Sequence, residues 1–203
     1  MLTILMEFPK QGSTLNSSNV ADMTSTTTTS FPVRLLLIAV GALLLSFGHA
    51  LGATDLSGTW VLDLRASSSP DPMLKRLGAS WVERQFGGSL QLKATYIQTP
   101  DSLTAHLRGV GFQSTYVVRI DNKPQMQQDP LLGRYTIRTF WSGNGTQLIS
   151  AVSLRTKDSR DAQVTIVREL VDGGKTLNIA GTLKITGESG TWTLRRIWRK
   201  RTS

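Results

Sequence analysis

The stretch TIVRELVDGGKTL, Thr165 to Leu177, alternates apolar and polar residues, breaks at Asp172-Gly173-Gly174 and then alternates again. A β-strand turns every second side chain to the same face, so Val164, Ile166, Arg168 and Leu170 line up together. The break has the chemistry of a hairpin turn. An arginine among three aliphatic residues leaves two readings. Either that face is not the inside, or something inside requires a positive charge.

Downstream the pattern repeats in KTLNIAGTLKIT and then TWTLRRIWRK. In the last of these, Trp192, Leu194, Arg196 and Trp198 share one face, and Thr193, Arg195 and Arg199 share the other, with Ile197 the exception. Upstream, LQLKATYIQ, SLTAHLR, FQSTYVVRI, a short segment around Lys123 to Gln127, GRYTIRTFW, TQLISAVSLR and AQVTIVRELV read as further strands. Turn signals recur about every ten residues, the mark of an antiparallel meander. DLSGTWVLDL, Asp55 to Leu64, is the first strand, with Trp60, Leu62 and Leu64 on one face.

Two short helices follow that first strand. Asp71 suits an N-cap, Pro72 the first helical position and Gly78 the stop. Ser80 and Glu83 have capping-box spacing, and Gly87 is expected to end the second helix. Trp81, Val82 and Phe86 on that helix are expected to plug the barrel end, the alternative being that they line a portal. The expected fold is mainly β: an up-and-down antiparallel barrel of about ten strands with a helix-turn-helix lid after the first. A barrel of that size is wider than its own side chains fill, so it is expected to enclose a cavity.

The front of the chain reads differently. Residues 1–31 are rich in Ser, Thr and Asn; Arg34 then precedes an apolar run from Leu35 to Phe47, and small residues follow at Gly48 and Ala50. That is the pattern of a cleaved secretory signal peptide, and the run is shorter than the ~20 residues of a membrane span. We expect a leader over residues 1–50, with Met23 as an alternative start, and a barrel over residues 55–201. The expected location is secreted or periplasmic.

Composition removes several functions. The 203 residues contain no cysteine and two histidines, His49 and His106, which excludes disulfides and thiol catalysis and leaves few transition-metal ligands. No cofactor, metal or catalytic residue is expected. His106 could ligate haem in a barrel, but a lone strand histidine is more often structural. The net charge of +9 permits an anionic partner. The basic run RRIWRKR, Arg195 to Arg201, reads either as a solvated outer face or as a contact for an anionic membrane surface. Stacking aromatics are not interleaved with its exposed cations, which argues against nucleic acid.

A buried guanidinium costs several kcal/mol unless it is paired, and it cannot lose its proton. Arg168 and Arg196 on an inward face therefore imply an anionic guest, and the apolar remainder of the cavity implies a hydrocarbon. The two requirements together describe a fatty acid or similar amphipathic anion. Arg168, Arg196, Trp198, Ile166, Trp60 and Trp192 are the candidate ligand-binding residues. The opposite reading keeps both arginines in solvent or paired with carboxylates in the wall.

At these residues the sequence resembles the intracellular fatty-acid-binding proteins of the calycin superfamily. The resemblance is carried by GTW at Gly58 to Trp60, the helix pair, TIVRELVDGGKTL, and RIWRK at Arg196 to Lys200. It implies a ten-stranded barrel with the helices over its portal. Arg168 and Arg196 match the two carboxylate-binding arginines, and Trp198 stands where the family has a tyrosine. An indole N–H can still donate one hydrogen bond there. The leader suggests secreted bacterial lipocalin-like proteins as nearer kin. The expected product is a monomeric, non-enzymatic binding protein, the alternative being a filled barrel that binds or inhibits another protein at the cell envelope.

Overall fold

The computed structural model of the chain describes residues 53–129 and 132–201. The leader lies outside the described residues. The strands are β1 (Gly58–Asp63), β2 (Lys93–Gln98), β3 (Ser102–Gly109), β4 (Phe112–Arg119), β5 (Gln125–Asp129), β6 (Gly133–Trp141), β7 (Gln147–Arg155), β8 (Asp161–Val171), β9 (Thr176–Ile185) and β10 (Thr191–Lys200). Helices α1 (Asp71–Arg76) and α2 (Trp81–Ser89) lie between β1 and β2.

The ten strands form one antiparallel sheet in the order β4-β3-β2-β1-β10-β9-β8-β7-β6-β5. Pairing of the first strand with the last wraps the sheet into a nearly closed up-and-down barrel, as the meander predicts. Closure hides strand edges that would otherwise template aggregation. The two remaining edges, β4 and β5, are bridged by side chains. Gln125 Oε1 accepts from the Arg119 N–H at 3.0 Å, and its Nε2 donates to the Arg119 carbonyl at 2.9 Å.

The period-two pattern is realised inside the wall. In β8, Ala162, Val164, Ile166 and Arg168 are buried, while Asp161, Gln163 and Thr165 are exposed. The same rhythm buries Leu148, Ser150, Val152 and Leu154 in β7. Each fully buried Leu or Ile contributes about 1.5–3 kcal/mol by leaving water. The β8–β9 turn needs its glycines, since Gly173 and Gly174 have φ of +62° and +82°.

The lid differs from expectation in three respects. Pro70, not Asp71, is the N-cap of α1; Asp71 is the first helical residue and pairs with Arg84 at 2.8 Å. Helix α2 runs through Gly87 and Gly88 to Ser89, whose hydroxyl donates to the Gln85 carbonyl at 2.9 Å. Trp81 and Val82 are 65% and 62% exposed, so they do not plug the barrel; the Phe86 side chain lies outside the described part. The plug comes from α1 and its C-terminal end, where Met73, Leu74 and Leu77 share one helical face and are buried. The capping box of α2 is as read, with Ser80 Oγ accepting from the Glu83 N–H and Glu83 accepting from the Ser80 N–H. Gly78 stops α1 at φ +86°, and a Cβ there would stand 2.8 Å from Lys157 Cβ.

Candidate functional site: a buried arginine row

Strand register places the two arginines in one row. Arg168 of β8 pairs with Ile179 of β9, and Ile179 pairs with Arg196 of β10. Two strand spacings of ~4.8 Å set their Cα atoms roughly 10 Å apart. Both face inward, at 0% and 1% exposure. The neighbouring row towards the β8–β9 turn is Leu170, Leu177, Trp198 and Leu62. On the other side Ile166 and Leu194 flank Gly181, which sets no side chain between them.

Arg168 Nη1 donates to Ser150 Oγ at 3.1 Å, and Ser150 Oγ lies 3.0 Å from Thr139 Oγ1. Its Nε and Nη2 have no hydrogen-bond partner among the described residues, nor does Trp198 Nε1. No carboxylate among the described residues pairs with Arg168. A permanently charged group thus sits out of water with only neutral hydroxyls near it, Ser150 at hydrogen-bond distance and Tyr116 close enough to interact. Leaving buried donors unsatisfied costs about 1–3 kcal/mol per group, more when charged.

Across the barrel, Tyr116 Oη donates to Tyr96 Oη at 3.4 Å. Burial pushes the Tyr116 phenol well above its ordinary range, the Tyr96 phenol adds to this, and the Arg168 charge pulls the other way. The interior therefore carries the two guanidinium groups of Arg168 and Arg196 and a set of neutral hydroxyls, among aliphatic residues. These groups can present donors to an anion.

The other candidates occupy distinct places. Ile166 is buried one strand step from Ser150. Trp198 is fully buried beside the arginine row. Trp60 is fully buried too, but its Nε1 already donates to the Leu56 carbonyl at 3.1 Å. Trp192 is half-buried at the start of β10, with the Arg76 guanidinium 4.8 Å above its ring, so it ties α1 to the barrel end. His106 faces outward, its Nδ1 2.9 Å from Thr115 Oγ1, and offers no ligand to the interior. The sequence reading missed Ser150, Thr139, Tyr96, Tyr116 and the buried Asp129, which accepts from the Leu132 N–H at 3.3 Å. The signal for the first two was present, as small polar residues at inward positions, Ser150 on the strand next to Arg168 and Thr139 opposite it on the strand beyond.

A ten-stranded antiparallel barrel with a helical pair after its first strand is also the fold of solved fatty-acid-binding proteins. The likeness is one of fold, at low identity. The chain superposes on a Schistosoma mansoni fatty acid binding protein in complex with arachidonic acid with a TM-score of 0.56 and 18% identity, covering 74% of this chain and 100% of that one. A Drosophila melanogaster brain fatty-acid-binding protein gives 0.54 and 20%, over 71% and 99%. Caenorhabditis elegans lipid binding protein 8 gives 0.55 and 14%, over 71% and 94%. Neither a protein-family model nor a curated protein matches the sequence.

Proposed function

We propose that the chain is a binding protein for a fatty acid or similar amphipathic anion, carried inside the barrel with the head group at Arg168 and Arg196. The observation that carries this reading is Arg168: fully buried, without a carboxylate, and with two donors unused among the described residues. A carboxylate accepts two parallel hydrogen bonds from a guanidinium fork and supplies the missing countercharge. Trp198 Nε1 adds a third donor one row away. The aliphatic rows around Ile166, Leu170 and Leu177 suit the hydrocarbon. The structural neighbours are named as lipid and fatty-acid binders and transporters, which supports a carrier rather than an enzyme.

The leader pattern supports loading and delivery outside the cytosol, in a secreted or periplasmic setting. Delipidated protein is expected to bind a fluorescent fatty-acid analogue with micromolar or tighter affinity. Native mass spectrometry of protein taken from its own compartment is expected to show a bound amphipathic acid. Absence of analogue binding to the folded, delipidated protein defeats the proposal.

A further inference from the structure

The outer wall of β2 and β3 carries a cluster that the interior site does not use. Lys93 stands directly opposite Arg108, and two residues along the same strands Thr95 stands opposite His106. All four point outward, since their neighbours Ala94 and Leu107 are fully buried. A rise of ~3.4 Å per residue and a strand spacing of ~4.8 Å put the four Cα atoms on a rectangle of roughly 5 by 7 Å. The four residues line a surface hollow of ≈ 240 Å³.

Like charges directly opposite each other destabilise a sheet. Among the described strand pairings, Lys93 and Arg108 are the one place where two cations face each other. Where the wall does oppose two charges elsewhere, it uses opposite signs, as in Arg155 and Asp161 at 3.2 Å. Neither Lys93 nor Arg108 makes an ion pair or side-chain hydrogen bond among the described residues. The His106 ring engages Thr115 through Nδ1, which leaves Nε2 uncommitted.

We propose that Lys93, Thr95, His106 and Arg108 form a binding site for a phosphate-class oxyanion, free or borne on a lipid head group. An oxyanion held between Lys93 and Arg108 turns their repulsion into two attractions. A guanidinium fork takes two of its oxygens, an ammonium acts as a point charge, and a hydroxyl and a ring N–H complete the donor set. Among the described residues the lining is Lys93, Thr95, His106 and Arg108, all with polar or charged ends, which favours a compact polar ligand. Beyond Val61, which pairs with Lys93 on one side and Arg199 on the other, the next cation is already neutralised, since Arg199 pairs with Asp63 at 3.3 Å and Asp172 at 3.6 Å.

The test is a titration of isotope-labelled protein with inorganic phosphate, followed by amide NMR, beside flotation with phosphatidylcholine vesicles with and without phosphatidic acid. Saturable shifts confined to the Lys93, Thr95, His106 and Arg108 region are expected. A Lys93→Gln, Arg108→Gln double variant should weaken phosphate binding by roughly tenfold or more, as loss of two charge-assisted contacts implies. It should also melt higher than the wild type without phosphate, while phosphate raises the melting point of the wild type alone. If vesicle flotation on phosphatidic acid falls in parallel, the oxyanion is a lipid head group. If only phosphate binding falls, it is the free ion. The proposal is overturned if phosphate gives no saturable shift, if the shifts spread over unrelated lysines and arginines, or if the double variant binds phosphate as the wild type does.

Discussion

Arg168 Nη1 donates to Ser150 Oγ across 3.1 Å, and Ser150 is in turn held 3.0 Å from Thr139 Oγ1. A neutral hydroxyl fixes the direction of the guanidinium but leaves its charge uncompensated. The residue is thus costly to the empty barrel and, in the proposed function, useful to the loaded one.

That asymmetry gives opposite signs for two measurements on one variant. Arg168→Leu should raise the stability of the ligand-free protein by about 1–4 kcal/mol, as replacement of an uncompensated buried charge by a hydrophobe does. It should weaken fatty-acid binding by about 2–5 kcal/mol, the usual cost of losing a buried charge-assisted contact. Urea denaturation of delipidated protein and fluorescence titration measure the two terms.

Ser150→Ala should behave differently. It removes the partner of Arg168 and of Thr139 while leaving the charge in place. The ligand-free protein should lose about 1–3 kcal/mol, the penalty for stranding buried polar groups. Chemical denaturation against Arg168→Leu gives the contrast: one variant destabilises, the other stabilises.

The lid should weaken in acid. Burial works to raise the Glu83 carboxyl, but its hydrogen bonds to Ser80 and the Lys157 cation outweigh this and hold it below the usual carboxylate range. A folded value below the unfolded one means the contribution is present above the unfolded value of about 4.3 and is lost as pH falls through the folded value. Amide exchange of α2 should therefore speed up selectively below that range, and less so in Glu83→Gln. Ser80→Ala should cost about 1 kcal/mol at neutral pH through loss of the cap.

Tyr116 acts at the other end of the scale. Its phenol is raised above the unfolded value of about 10, so the folded state keeps its proton longer. The associated stability is complete below the unfolded value and disappears as pH climbs past it. In an ultraviolet titration the Tyr116 phenolate should appear only as the protein unfolds in alkali. Tyr116→Phe should make alkaline unfolding less steep.

Most of the wall was legible in the sequence, because residues in the middle of a long strand have only two faces to choose from. TIVREL and TWTLRRIW put Arg168 and Arg196 on the inward parity, and both of these guanidinium groups are buried. Legibility failed where a third element intrudes or a strand ends. Ile197 has outward parity yet is 3% exposed, in the region where the segment after β1 crosses β10: Ser67 Oγ accepts from the Ile197 N–H at 2.9 Å, and the Ser68 N–H donates to the Arg195 carbonyl at 2.9 Å. Trp192 has inward parity yet is half-buried, because β10 begins there. Trp81 and Val82 look like core on a short helix. Ion pairs from Arg84 to Asp71 and from Lys157 to Glu83 hold α2 with those residues outward. Ser150 and Thr139 were passed over because one hydroxyl in an inward row reads as noise until register sets it beside an arginine.

The central claim is that the interior recognises negative charge, and the most direct measurement compares a fatty acid with the fatty alcohol of the same chain length. Calorimetric titration of delipidated protein should show the acid binding more tightly by about tenfold or more, roughly 1.4 kcal/mol. The difference should vanish in Arg168→Leu, where only hydrocarbon burial remains. Equal affinities for acid and alcohol in the wild type, or an acid preference that survives the variant, contradict the account.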